Sequence, residues 1–284
     1  MSYDLERVQT LLRDARDAGA TDVHLKVPGR PRLRIAGKLV QTPYPPLEPR
    51  DLLQIAQHLK DLAGREVPLL GQSDLALAFG VQKVGRFRAQ IYRQRGSLAI
   101  VIHRMSLSVP TLAQLKAPAE ASRAVWGQAG LSFITGERQR LDAVAAVIDA
   151  YNQDHRGSLL SLEDPLEFLH ADVHALISQR EVGLDTPSTA EGLRLALLSD
   201  ADAVVVGDVH DGAAAELALR IAESGRTVVV SVVGCRPEEA PAWFARLLPE
   251  SRAAELHTRI AAVHRCTLHE SGGQIELRAG PAAR

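Results

Sequence analysis

Five short apolar runs recur through the second half of the chain, at Leu131 to Ile134, Leu159 to Leu162, Leu176-Ile177, Ala203 to Val206 and Thr227 to Val233. Helical stretches at 141 to 152, 188 to 198 and 212 to 224 lie between several of them. An unbroken apolar run is buried on both faces, and such strands interleaved with helices form an α/β, doubly wound, mostly parallel sheet. Ser188, with Glu191 three residues on, predicts a capping box at the start of one of the helices. Ligands of these sheets bind beyond the carboxyl ends of the strands, so the residues following each run are the functional candidates.

The stretch Gly130 to Asn152, GLSFITGERQRLDAVAAVIDAYN, predicts a buried strand, a tight turn at Thr135-Gly136 and an amphipathic helix. Nucleoside triphosphatases place a phosphate loop at this kind of junction. That loop reads G-x-x-x-x-G-K-[ST]: glycines admit the phosphates to backbone N–H groups, the lysine neutralises charge and the hydroxyl holds Mg²⁺. Here Gly136 is followed by Glu137, Arg138, Gln139, Arg140, Leu141, Asp142 and Ala143, with no second glycine, lysine or hydroxyl.

The first 105 residues have a different pattern. Leu5, Val8, Leu11, Leu12 and Ala15 fall at helical spacing before Gly19. Val23, Leu25 and Val27 then alternate with polar residues as in a half-buried strand, and further short strands follow around Leu33, Leu39 and Ser73 to Val81. A second helix carries Leu52, Leu53, Ile55, Ala56 and Leu59, with Glu48 or Asp51 at its start. The expected organisation is an α+β domain over 1–105, a proline-bearing linker over 106–128 with a short helix at Leu112 to Leu115, and an α/β domain over 129–284.

A net charge of -1 gives no global field favouring nucleic acid or an anionic membrane, and 4% aromatic residues are few for base stacking. No apolar run approaches the roughly 18 residues of a membrane span, so no direct membrane insertion and a cytoplasmic location are expected. Cys235 and Cys266 form no C-x-x-C and are read as reduced thiols.

Several blocks resemble one family. Gly19-Ala-Thr-Asp-Val-His-Leu and PRLRIAG (Pro31 to Gly37) are similar to the opening of the type IV pilus retraction motors, the PilT family, and their type II secretion relatives. Gly85-Arg-Phe-Arg and the run from Tyr92 to Arg104 resemble the next segment. LEDPLE (Leu162 to Glu167) resembles the Asp box, SQREVG (Ser178 to Gly183) its N-Q-R-E-V-G, and DADAVVVGDVHD (Asp200 to Asp211) the Walker B segment. On these blocks the chain is identified as a member of that family.

The resemblance implies a RecA-like C-terminal domain preceded by a smaller PAS-like domain, with ATP and Mg²⁺ as the family's ligands. It assigns Asp208 and Glu163 to the catalytic positions, Asp164 and Asp208 to the metal, and Thr135, Gly136, Arg138 and Arg140 to the phosphate loop. Arg86, Arg88, Arg95 and Arg104 take the places of family arginines that reach nucleotide phosphates. Implied partners are further copies of the chain or an intact pilus or secretion ATPase in a hexameric ring, and inner-membrane platform proteins.

The departures point to a catalytically degenerate member that holds no cofactor. The phosphate loop is gone and its segment is two residues shorter than usual. Asp208 replaces a glutamate, and a carboxylate drawn back by about 1 Å costs on the order of a hundredfold in rate. Arg226 and Val233 stand where the family has the two histidines of its His box, and its A-I-R-x-x-Q motif does not follow the last expected strand, Gln274 to Leu277. Two alternatives stay open. Arg138 or Arg140 replaces the lysine of an active ATPase, with Thr135 as the hydroxyl; or Glu163, Asp164, Asp208 and Asp211 hold a cation for phosphate hydrolysis. His170/His174 and His264/Cys266/His269 are read as incidental groupings.

Overall fold

The computed structural model describes residues 3–64, 74–105, 108–137, 139–249, 251 and 253–283. The chain divides into two compact units, 1–107 and 108–284.

In the first unit Asp4 caps helix α1 (Leu5–Asp17) by accepting the Arg7 N–H at 2.9 Å. Strands β1 (Asp22–Lys26), β2 (Arg32–Ile35) and β3 (Lys38–Gln41) precede helix α2 (Pro49–Leu62), and β4 (Asp74–Val81), β5 (Gly85–Gln94) and β6 (Ser97–Arg104) follow it. Ser73, the expected first residue of β4, lies outside the described residues. Asp51 closes the start of α2 by accepting the Glu48 N–H at 2.8 Å. The sheet order is β3-β2-β1-β6-β5-β4, antiparallel throughout. Val8, Leu11 and Leu12 of α1 and Leu52, Ile55 and Leu59 of α2 pack with Val23, Leu25, Phe87 and Ile100 of the sheet. Each such side chain stabilises the fold by about 1.5–3 kcal/mol relative to exposure.

The second unit contains α3 (Ala121–Trp126), β7 (Gly130–Gly136), α4 (Arg140–Asp154), β8 (Ser158–Glu163), β9 (Leu176–Glu181), α5 (Thr189–Leu198) and β10 (Ala203–Val206). Then come α6 (Gly212–Glu223), β11 (Thr227–Val233), α7 (Ala240–Arg246), α8 (Ala253–Val263), β12 (His264–Ser271) and β13 (Gln274–Ala279). Its sheet runs β13-β12-β7-β11-β10-β8-β9, parallel except for β13. Alternate residues of one strand feed opposite cores: Val204 and Val206 lie with α5 and α6, whereas Ala203 and Val205 lie with α4. Both faces are therefore covered, as the unbroken apolar runs require. Ser188 caps α5 by accepting the Glu191 N–H at 3.2 Å.

The structure departs from the sequence expectations in three places. Leu112 to Leu115 forms a hydrogen-bonded turn instead of a helix, because Lys116 enters the left-handed region at φ +50° and Ala117 N–H closes back on Leu112 O. Leu115, Ala121, Val125 and Trp126, within the segment expected as linker, lie in a core of the second unit. Strand β12, which pairs with β7 inside the sheet, has no counterpart among the expected strands.

Candidate functional site

The parallel registers place Ile134, Ser231, Gly207, Glu163 and Glu181 in one row across the sheet, with Thr135, Val232 and Asp208 one residue further on. The expected acidic blocks thus do reach neighbouring carboxyl ends. Glu163, only 8% exposed, accepts from Ser161 Oγ at 2.7 Å and from Gln179 Nε2 at 3.2 Å. Gly207 has no side chain to displace it: a Cβ there would come within 3.4 Å of Glu163 Cγ. Asp164 is exposed, and Asp211 is the cap of α6, accepting the Ala214 N–H at 2.8 Å. Among the described residues no group of three or more His, Cys, Asp or Glu side chains is placed to hold a metal ion.

Arg140 organises the site. It is the first residue of α4 and is buried, its side chain running back under the turn. Nη2 donates to Asp208 Oδ1 at 2.5 Å, Nε to Ser231 Oγ at 2.9 Å and Nη1 to Glu137 O at 3.2 Å. One planar guanidinium thereby ties together the ends of β10, β11 and β7. Such a fork suits three fixed acceptors better than a point-charge ammonium would.

Thr135 is fully buried, and its Oγ1 lies 2.9 Å from His269 Nδ1 on β12. Gly136 sits at φ +140°, and a Cβ would come 2.5 Å from Glu270 O. Arg138 lies outside the described residues. Above this junction is a hollow of about 290 Å³ lined in part by Glu137, Gln139, Cys235, Arg236 and Glu270. Burial, with the Glu239 charge, pushes the Cys235 thiol up to about 11, so it is protonated near neutrality. Arg236 is engaged by Glu239 at 2.5 Å. Two carboxylates, Glu137 and Glu270, and one guanidinium, Arg236, are among the charged groups lining the hollow.

The four arginines of the first unit do not converge within it. Arg86 and Arg88 share one face of β5, because side chains alternate along a strand. Arg104 lies directly opposite Phe87 on the other face and donates from Nε to Ala20 O at 3.0 Å. Arg95 sits in the β5–β6 turn; at about 3.3 Å per residue it is roughly 30 Å from Arg86. His170 and His174 lie in an irregular segment, with His174 Nδ1 at 2.5 Å from Gln153 O.

Sequence reasoning singled out Arg140 as a phosphate ligand but not as the partner of Asp208. The available signal was an arginine entering the helix after a shortened loop. His269 was visible only as part of a loose cluster.

A doubly wound parallel sheet with acidic residues at adjacent strand ends below a strand-turn-helix junction is the arrangement of a RecA-like fold. Comparison with known proteins narrows this class. The family model "Type II/IV secretion system protein" matches residues 135–249. YggR of Escherichia coli K12, an uncharacterised protein, is 31% identical over 214 residues, covering 75% of this chain and 64% of its own. The type IV pilus ATPase PilU of Pseudomonas aeruginosa is 24% identical over 250 residues, covering 87% of this chain and 65% of its own. The chain thus spans just under two thirds of the length of these relatives. The crystal structure of the pilus retraction motor PilT with ADP superposes with a TM-score of 0.82 at 26% identity, over 96% of this chain and 81% of that one. Over most of its length the chain is similar to the PilT-like ATPases of type II and type IV secretion systems, and its residues 135–249 match the family model.

Proposed function

We propose that this chain is a catalytically degenerate family member with a structural or regulatory role in type IV pilus or type II secretion machinery. The observation that carries the reading is the Arg140–Asp208 ion pair. The guanidinium occupies the space beside the Walker B carboxylate, so Asp208 Oδ1 is engaged by Arg140. With no glycine cradle, lysine or loop hydroxyl, nothing compensates a triphosphate, and phosphoryl-transfer catalysis rests on positioning and electrostatics. The retained fold then serves assembly, as a ring of this chain or a mixed ring with an intact pilus or secretion ATPase at the cytoplasmic side of an inner-membrane platform.

A second reading draws on the same residue. Arg140 starts α4 where a family lysine would stand, so an active enzyme would use it on the phosphates once Asp208 released it. Calorimetric titration with Mg-ATP, with a turnover assay of wild type and Asp208→Asn, separates the two. The proposal expects no tight binding and no turnover. Tight binding with turnover abolished by Asp208→Asn would overturn it in favour of the second reading.

A further inference from the structure

The first unit has a hollow of about 500 Å³ between the end of β1, the start of α2 and the β5–β6 turn. Its origin is in the sequence. Pro28 follows Val27 directly, and a proline has no N–H with which to extend a ladder. The β1–β6 pairing stops at Lys26 opposite Ala99, and β1 turns away. On the far side Leu47 N–H bonds Gly29 O at 2.7 Å, forming a wall. Between that wall and the start of β6 the sheet has a gap.

Ser97 and Leu98 remain in register with β5 alone, opposite Gln94 and Arg93. A two-residue hairpin closes on a hydrogen-bonded pair, here Gln94–Ser97, and the next residue along the strand turns its N–H and C=O outward. That residue is Leu98, so its backbone edge faces the gap. Val27, Leu47 and Leu98 provide apolar lining, while Lys26 and Arg95 add two cations. Among the described residues neither cation has an ion-pair or hydrogen-bond partner. The one carboxylate of the lining, Glu48, pairs with Arg50 at 3.0 Å. At the start of α2 nearby, the Glu48 N–H is taken up by Asp51 at 2.8 Å.

Arg95 itself is held at φ +49°, ahead of Gly96 at +80°. Asn and Gly adopt the left-handed region far more readily at this turn position, so an arginine here is kept against conformational preference. An outlier of this kind is a motive to look for function at the residue.

We propose that this gap docks an extended, acidic peptide segment of a partner protein. The segment pairs with the Leu98 edge as an added strand, places an apolar side chain over Val27 and Leu47, and sets its carboxylates against Lys26 and Arg95. Backbone pairing with pockets for alternate side chains is an established recognition mode, and the hollow lies within the roughly 300–1,000 Å³ of ligand pockets. The proposal is independent of whether the second unit binds nucleotide.

The test uses the full chain and a fluorescein-labelled octapeptide of alternating valine and glutamate, with the valine–lysine octapeptide as control. Fluorescence polarisation should show saturable binding of the acidic peptide alone, weakening as salt is raised. Lys26→Glu and Arg95→Asn should each weaken it by about tenfold or more, a difference of about 1.4 kcal/mol. Both residues are exposed and Asn suits the left-handed turn, so unchanged circular dichroism is expected of both variants. In amide exchange the Leu98 N–H should gain protection when the peptide binds. Equal binding of the two peptides, wild-type affinity in both variants, no binding at about 1 mM peptide, or an unprotected Leu98 amide in the complex would each overturn the proposal.

Discussion

Arg140 holds three strand ends together, and a double-mutant cycle with Asp208 measures how strongly. Arg140→Ala removes the donors to Asp208, to the Ser231 hydroxyl, which is 1% exposed, and to the Glu137 carbonyl. Breaking a buried ion pair costs about 3–5 kcal/mol. Asp208 is 21% exposed, so water recovers part of that, while an orphaned buried hydroxyl adds about 1–3 kcal/mol. The expected loss for Arg140→Ala is about 3 kcal/mol, with a similar value for Asp208→Ala, which strands the guanidinium. The double variant should lose about 4 kcal/mol, less than the sum of the two, leaving a coupling energy of about 2 kcal/mol. Urea unfolding followed by tryptophan fluorescence is a suitable assay, because the two tryptophans, Trp126 and Trp243, both lie in the second unit. A coupling energy below about 0.5 kcal/mol would refute the view that this pair closes the site.

Two further outcomes follow from local geometry. Gly136→Ala should destabilise the second unit by about 2 kcal/mol or more in the same assay, since a Cβ at φ +140° would strike Glu270 O at 2.5 Å. In the first unit burial disfavours ionised Asp22, but hydrogen bonds from His103 at 2.9 Å and Thr21 at 2.8 Å outweigh it and hold the carboxyl below its usual range. A depressed folded value means the contribution is complete above the unfolded pKa of about 3.9 and is lost as pH falls through the folded one. Asp22→Asn should therefore cost about 1 kcal/mol at pH 7 and flatten the acid limb of a circular-dichroism stability profile of the first unit. An unchanged acid limb would contradict the assignment.

The chain's apolar pattern carries much of its own architecture. Val204 and Val206 face one core and Ala203 and Val205 the other, so the unbroken run at 203–206 identifies a strand buried on both sides. The Ser188 cap is likewise written locally, because its hydroxyl reaches an N–H three residues away. Strand β12 was hidden for a physical reason. His264, Thr267 and Glu270 are buried polar residues that interrupt its apolar signature, and the pairing with β7 that makes it a strand joins residues distant in sequence. His264 Nε2 lies 3.1 Å from Thr267 Oγ1, and Glu270 accepts the Gly273 N–H at 2.8 Å.

The site divides in the same way. The loss of glycines, lysine and hydroxyl after Gly136 is a fact of the sequence, as are the acidic blocks that follow β8 and β10. That Arg140 turns inward to Asp208 depends on β11 lying beside β7 and β10 beside β11, a proximity between residues 68 and 91 positions apart. Helical periodicity cannot report such a pairing, because it is created when strands distant in sequence come into register. The spread of Arg86, Arg104 and Arg95 over two faces and two ends of a hairpin was also decided by register, since neighbours in a motif can point apart once a strand alternates.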